Sequence, residues 1–305
     1  MAFVIAGSRK RKRVMALTEL IRIGVIVSIF LIVFALGLHA DLREATSLFR
    51  RPALLFKSIL SMNVIMVIFA AAITSLLQLS PALKIAIITL AVSPVPPFLP
   101  GKQMKAGGSA SYSISLLFAA VLLSIIVVPV SIEILGRYFG VAAHVSAVRI
   151  IPIVLITAIL PLLCGIAISK IAPQFASRIR KATSTFAMIL LVISVLPILF
   201  AMAGTIWSLF GNGTMLVLAL FTMVGLAVGH LLGGPEPDDR TVLAFATSAR
   251  HPGTALAIAV QNFPEHKAEV MAVIICHLVI GALVSLPYMA WRKRSHTPTD
   301  APIER

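Results

Sequence analysis

The feature that most constrains this chain is a series of long windows without a single Asp, Glu, Lys or Arg. Residues 58–83, 107–132 and 150–169 form such windows, and residues 182–235 form one that is long enough for two bilayer crossings. A transmembrane helix needs about 20 apolar residues, and the turn-forming residues 211–213 divide the longest window. Only 12% of the residues are charged, whereas a soluble domain carries roughly 25%. We therefore expect an all-α, polytopic protein of the plasma membrane or the bacterial inner membrane.

The apolar pattern predicts about nine spans in a single transmembrane transporter domain, residues 19–291. A basic N-terminal tail, 1–18, precedes this domain, and a short C-terminal tail, 292–305, follows it. The spans are placed at residues 19–39, 53–78, 82–101, 107–132, 149–169, 182–210, 214–234, 241–263 and 268–291.

The positive charges indicate which way the chain is oriented. Most Lys and Arg residues fall in loops on the side of the C-terminus, which the positive-inside rule makes cytoplasmic. These loops account for the formal net charge of +15, so we expect no nucleic-acid partner. The basic run at residues 9–13 falls on the other side, so the number of helices, nine or ten, is not decided.

Two predicted spans contain residues that interrupt a helix. Residues 93–101 hold four prolines, and residues 250–253 (Arg-His-Pro-Gly) break an otherwise apolar segment. Each proline removes an amide donor and clashes with the preceding turn. Irregular backbone at membrane depth is tolerated only where it is buried in protein or lines a watery cavity. Both breaks are therefore expected to face the interior.

The two interruptions lie at matching places along the chain. With the fifth span set aside, each is the third of four spans, in repeats at roughly residues 19–136 and 182–291. An offset of five spans inverts the second quartet relative to the first. This predicts an inverted-repeat transporter fold with two crossed discontinuous helices. The alternative is a passive bundle with two proline kinks.

Arg250 is the leading candidate for a substrate site because it lies within a predicted span. A charge there costs about 3 kcal/mol on insertion scales, so it indicates function by default. Its planar fork suits a carboxylate or sulfonate, and the half-helix after Pro252 adds partial positive charge. We expect a small organic anion as the ligand. The substrate-binding candidates are Arg250, His251, Pro252, Gly253, Pro94, Pro97, Pro100 and Asn63.

Three of these residues have alternative roles. Arg250 either binds the anion, or holds the breaks together as a fixed cation, or reaches an interface from a misplaced span. His251 either carries a coupling proton, since histidine changes charge near neutral pH, or only forms a hydrogen bond. Asn63 either lines the cavity or joins two helices.

Motifs spread over nearly the whole chain resemble those of one transporter family. Residues 35–38 (Ala-Leu-Gly-Leu) and 50–52 (Arg-Arg-Pro) look like its glycine-containing helix end and basic-proline loop. Residues 250–257 look like its second crossover motif, and Pro94 matches the proline of the first. On these residues the chain resembles the bile acid:sodium symporter family, as a divergent nine-helix member. The resemblance implies panel and core domains, two crossed discontinuous helices in the core, and sodium-coupled uptake of organic anions.

The sequence departs from that family where the family binds sodium. Pro94 is followed by Val, Pro, Pro, Phe and Leu, and Ala246 stands where the family carries a glutamate. Ser113 resembles one of the family's sodium-ligand positions, and Thr247 and Ser248 are candidates to replace the other ligands. A buried cation normally needs a carboxylate, and the acidic residues lie in loops, tails or span ends: Glu19, Asp41, Glu44, Glu133, Glu236, Asp238, Asp239, Glu265, Glu269, Asp300 and Glu304. We therefore expect no metal or other cofactor, and transport without a need for sodium.

The competing function classes are an intramembrane enzyme and a receptor or scaffold. An enzyme needs a nucleophile with a base, or a metal set, and the sequence has no paired aspartates and no serine-lysine constellation. We therefore expect a non-enzyme. A transport-inactive receptor or scaffold derived from the same fold is the alternative to a secondary transporter. The expected partners are a small organic anion and the lipid bilayer, with the chain a monomer or homodimer.

Overall fold

A computed structural model describes residues 2–141, 143–145, 148, 151–152 and 155–295, with side chains from residue 18 onward. Every regular element of this described part is helical. The α-helices are α1 (Ala2–Gly37), α2 (Leu42–Ala45), α3 (Pro52–Ile59), α4 (Met66–Leu76), α5 (Pro81–Val92), α6 (Leu99–Lys105), α7 (Ala110–Phe139), α8 (Leu160–Ile171), α9 (Pro173–Ala201), α10 (Ala203–Trp207), α11 (Thr214–Leu232), α12 (Pro237–Ser248), α13 (Pro252–Asn262) and α14 (Lys267–Ser295). Turns of 3-10 helix span Ser47–Arg50 and Pro264–His266, and turns of π-helix span Leu60–Ile65 and Leu155–Ile159.

Long apolar helices confirm the prediction of an all-α, polytopic membrane protein. Within the described residues, six helical stretches are long and apolar enough to cross a membrane. They are Thr18–Gly37, Pro52–Leu76, Ala110–Phe139, Pro173–Ala201, Thr214–Leu232 and Pro264–Ser295.

The remaining predicted spans correspond to shorter helices. The third span contains α5 and α6, and the eighth contains α12 and α13, each pair separated by non-helical residues. The fifth span contains the helix Leu155–Ile171, and part of that predicted segment lies outside the described residues. The number of crossings therefore stays a prediction.

The tails differ in extent from the sequence-based boundaries. Helix α1 begins at Ala2, so the backbone of residues 2–18, within the predicted basic tail, continues the first span as a helix. Helix α14 continues to Ser295, and Arg292 within it is buried. Residues 296–305 lie outside the described part.

The helices pack in two groups. Helix α1 lies against α8 and α9, whereas α11 lies against α12 and α14, and α5 lies against α4, α13 and α14. Helix α7 joins the second group through α6 and α5 and touches the π-helical turn Leu155–Ile159. The two interrupted segments therefore lie within the second group.

Glycines on α11 allow the second interrupted segment to pack closely. A Cβ atom on Gly225 would lie 2.6 Å from the Cα of Ser248, and one on Gly229 would lie 2.4 Å from the carbonyl oxygen of Leu243. Such distances exclude any side chain, and small residues at helix contacts let two backbones approach in a membrane. Helix α11 thus fixes the end of α12 that leads into the second break.

Candidate functional site

The first break separates α5 from α6 and leaves backbone carbonyl oxygens without donors from their own helix. Residues 93–98 leave the helix after Val92, and a new helix begins at Leu99 with Pro100 in its first turn. Pro94 and Pro97 have no N–H to donate. Residues 93–97 are buried, so the carbonyl oxygens freed by the prolines must find donors elsewhere in the protein.

The second break separates α12 from α13 and is shorter. Ala249 and His251 have extended backbone dihedrals, and α13 begins at Pro252, where a proline is well tolerated. The His251 side chain caps α13, because its Nδ1 accepts a hydrogen bond of 3.1 Å from the backbone N–H of Thr254. Gly253 lies in the first turn of α13. The cap gives His251 a structural role at the start of this helix.

The two breaks lie directly against each other. The backbone N–H of His251 donates to the carbonyl oxygen of Pro94 at 2.9 Å. Arg250 Nη1 donates to the carbonyl oxygen of Ser93 at 3.4 Å. Helix α5 packs against α13, and α6 packs against α12. The proline-rich break therefore supplies acceptors to the donors of the second break.

A turn of π-helix in the second span forms the third side of the site. Residues Leu60–Ile65 adopt this wider turn, and Arg250 Nη2 donates to the carbonyl oxygen of Met62 there at 2.9 Å. The hydroxyl of Ser61 lies 2.6 Å from that of Thr247 at the end of α12. Such turns are rare and often lie at functional sites. This turn was not predicted, although the polar residues Ser61 and Asn63 within an apolar span were a signal for it.

Arg250 is a buried cation without a carboxylate partner among the described residues. It is 1% exposed, and the described ion pairs lie elsewhere. Burying a charge is costly unless dipoles or counter-charges compensate for it. Two backbone carbonyls do so in part, and Arg250 Nε has no hydrogen-bond partner in the described part of the chain.

The residues that follow Arg250 present further unused polar atoms. His251 Nε2 and Thr254 Oγ1 are buried without a hydrogen-bond partner among the described residues. Because Nδ1 of a neutral His251 accepts a hydrogen bond, Nε2 carries the hydrogen. The stretch from Arg250 to Thr254 therefore offers several donors and no acidic side chain, which suits an anion.

Asn63 does not join this cluster. It follows Met62 in the π-helical turn but lines a groove with Val67, Ser131 and Tyr138. Successive helical residues face different directions. The carbonyl oxygen of Met62 therefore accepts from Arg250, whereas the Asn63 side chain points towards α7. Asn63 therefore lies in a groove between the second span and α7, away from the breaks. Its two predicted roles stay predictions.

The side chains named as sodium candidates each form a hydrogen bond within the protein. Ser113 Oγ donates to the carbonyl oxygen of Ser109 at 2.8 Å, and Ser248 Oγ donates to that of Phe245 at 3.2 Å. Thr247 is paired with Ser61, and Ala246 is buried without any polar atom. A sodium ion needs several free oxygen ligands and a nearby negative charge. Ser113 and Ser248 keep the lone pairs of their hydroxyl oxygens while they donate. None of the four residues supplies a negative charge, so a sodium ion here would lack the carboxylate that normally offsets it.

Polar contacts also fix the outer ends of α6 and α12. Arg51 pairs with the buried Asp239 at 2.5 Å, and Arg292 Nε donates to Thr241 Oγ1 at 2.7 Å. Gln103 Nε2 donates to the carbonyl oxygen of Val242 at 2.9 Å. Arg51 and Asp239 were predicted to lie in loops or at span ends. The contacts hold the two half-helices in place around the breaks.

A comparison with protein families finds one match. The family model described as the Sodium Bile acid symporter family matches residues 26–209. This range is more than half of the chain and includes the first break and the π-helical turn, whereas the second break lies beyond it. A search of the curated proteins finds no match.

Proposed function

We propose that this chain, which belongs to the sodium bile acid symporter family, carries a small organic anion across the membrane at its two broken helices. The family and the membrane-spanning helices support the class of transporter rather than enzyme. The single observation that carries the choice of an anion is the buried guanidinium of Arg250, which has no carboxylate partner among the described residues.

The chemistry around Arg250 supports an anionic substrate. Arg250 Nε, His251 Nε2 and Thr254 Oγ1 are donors or donor-capable groups that no described residue uses. They lie at the N-terminus of α13, where the helix dipole adds partial positive charge. A carboxylate or sulfonate accepts several such bonds at once. A cationic substrate would find repulsion here and no counter-charge.

Arg250 also accounts for transport without sodium. Its guanidinium binds the carbonyl oxygens of Ser93 and Met62, and carbonyl oxygens are the groups that a hard cation would otherwise need. A covalently attached cation then holds the two breaks and the π-helical turn together. We infer that Arg250 acts as the fixed cation of the site, so that an external sodium ion is not required.

Alternating access would occur between the two helix groups. Under this proposal α1, α8 and α9 form a panel, and the helices around the two breaks form a core that crosses at residues 93–98 and 249–251. Their contact near Leu117, Val121 and Leu162 is apolar. An apolar contact has few directional bonds to break, which favours rigid-body movement of one group past the other.

The test is substrate counterflow in proteoliposomes that contain the purified full chain. A bile acid, a keto acid and an alkyl sulfonate serve as labelled probes, each matched with a neutral amide or alcohol analogue. At least one anion should show saturable exchange, and its neutral analogue should not compete. Exchange of neutral analogues equal to that of the anions, or no exchange with any probe, would overturn the proposal.

A further inference from the structure

A cavity lies away from Arg250, where α5 begins and α7 and α13 end. It measures about 300 Å³, at the lower end of the roughly 300–1,000 Å³ of small-molecule pockets. Its walls include Ile85 and Ile88 of α5, Ile132 and Leu135 of α7, and Ile258 of α13. A volume of this size fits one slender chain rather than a lipid with two.

The polar side chains in the wall are turned to other partners. Thr74 Oγ1 donates to the carbonyl oxygen of Ala70, and Thr89 Oγ1 donates to that of Ile85. Asn262 donates to the carbonyl oxygen of Ile258 and accepts from the backbone N–H of His144. A ligand in this cavity would therefore contact mainly hydrocarbon groups.

Lys84 is the exception in this wall. It lies in the first turn of α5, whose N-terminus is capped by Ser80. The ammonium group forms no ion pair or hydrogen bond with another described residue. Glu133 on α7 is engaged by Arg137 at 2.9 Å. The cavity thus combines an apolar body with one free positive charge.

We propose that this cavity binds a free, single-chain amphipathic carboxylate, such as a fatty acid of medium length. The Lys84 ammonium pairs with the carboxylate, and the alkyl chain lies against Ile85, Ile88 and Leu135. Thr89 lies at the end of the cavity nearest the first break, since Ser93, directly after α5, is four residues further along the chain, or about 6 Å away. The site is separate from the donors of Arg250, and it stands even if Arg250 binds no anion.

The experiment is photolabelling of the full chain in nanodiscs of neutral phosphatidylcholine. The probe is dodecanoate with a diazirine on its alkyl chain, and labelled peptides are identified by mass spectrometry. Label is expected on the segments that contain Ile85 and Leu135. Excess dodecanoate should remove it, whereas dodecanol and dodecyltrimethylammonium should not.

Variants separate the charge from the cavity. Lys84→Gln should lower labelling about tenfold, which corresponds to roughly 1.4 kcal/mol of lost binding. Lys267→Gln, at an exposed lysine outside the cavity wall, should not change it. Ile85→Trp keeps Lys84 but fills the cavity and should also remove the label. Size-exclusion profiles and melting temperatures establish that each variant is folded.

Three results would overturn this inference. Equal competition by dodecanol would remove Lys84 as the partner of the headgroup. Equal competition by phosphatidic acid would make a membrane lipid the occupant. Unchanged labelling in folded Ile85→Trp would place the probe elsewhere. None of these results depends on substrate counterflow, so the failure of this inference and that of the proposed function are distinguishable.

Discussion

The first break, residues 93–98, and the second, residues 249–251, lie against each other and offer opposite chemistry. The first has no charged side chain, and its contribution is the carbonyl oxygens of Ser93 and Pro94. The second contributes donors, namely the guanidinium of Arg250 and the backbone N–H of His251. Unpaired backbone in a membrane costs several kcal/mol for each group. Each break therefore compensates for the polar groups that the other leaves unpaired.

The difference between the breaks teaches that matching positions do not require matching chemistry. Prolines end the regular helix in both segments, but only the second carries a cation. The first break and the π-helical turn surround this cation with acceptors. A substitution should therefore have large effects in the second break, intermediate effects in the π-helical turn and small effects on uptake in the first break.

The largest effect is expected for Arg250→Met, which keeps a long side chain but removes the donors. Uptake of the anion identified by counterflow should fall about 100-fold, because losing a hydrogen-bonded charge costs roughly 3 kcal/mol. The initial rate in proteoliposomes measures this loss. Arg178→Met, at an exposed cation on α9, serves as the matched control and should keep the normal rate. An unchanged rate in Arg250→Met would mean that the donors of the second break are dispensable.

An intermediate effect is expected where the π-helical turn meets α12. Ser61→Ala leaves the buried Thr247 hydroxyl without its partner and should lower the unfolding free energy by about 1–2 kcal/mol. Thr247→Val should do the same, and the double variant should lose less than the sum of the two. Thermal unfolding of the purified variants gives these values. Strictly additive losses would argue against the 2.6 Å contact between the hydroxyls.

The smallest effect on uptake is expected for Pro96→Ala in the first break. The carbonyl oxygens of Ser93 and Pro94 remain in this variant, so Arg250 keeps its partner. Uptake should persist, whereas the unfolding free energy should fall by about 1–3 kcal/mol, because alanine adds a buried backbone N–H that needs a partner. A loss of uptake as large as that of Arg250→Met would contradict the view that this break acts through its backbone alone.

The long apolar helices and the two breaks could be predicted because their causes are local. Uncharged windows such as 107–132 predicted α7, and the prolines at 94 and 252 predicted where helices end. The contacts of the site arise between distant segments. Met62 and Arg250 are 188 positions apart, and nothing in the sequence around Met62 indicates that its carbonyl oxygen accepts from a guanidinium. The same holds for Arg51 and Asp239, which looked like ordinary loop charges.

Asn63 illustrates the limit of reading polarity alone. Its amide in an apolar span predicted either a place in the cavity or a contact between two helices. In the structure Asn63 lines a groove beside α7, whereas the carbonyl oxygen of Met62 accepts from Arg250. The direction of a side chain within a wide helical turn depends on tertiary packing. Residue type alone therefore did not indicate which atom of this turn contacts Arg250.

The most direct test of the central claim compares anion uptake with sodium or choline as the only external cation. If Arg250 is the fixed cation that holds the two breaks, the initial rates in wild-type proteoliposomes should agree within about twofold, or roughly 0.4 kcal/mol. A rate that rises tenfold or more with sodium, and saturates with its concentration, would contradict the account. In that case a bound ion, rather than Arg250, would complete the site.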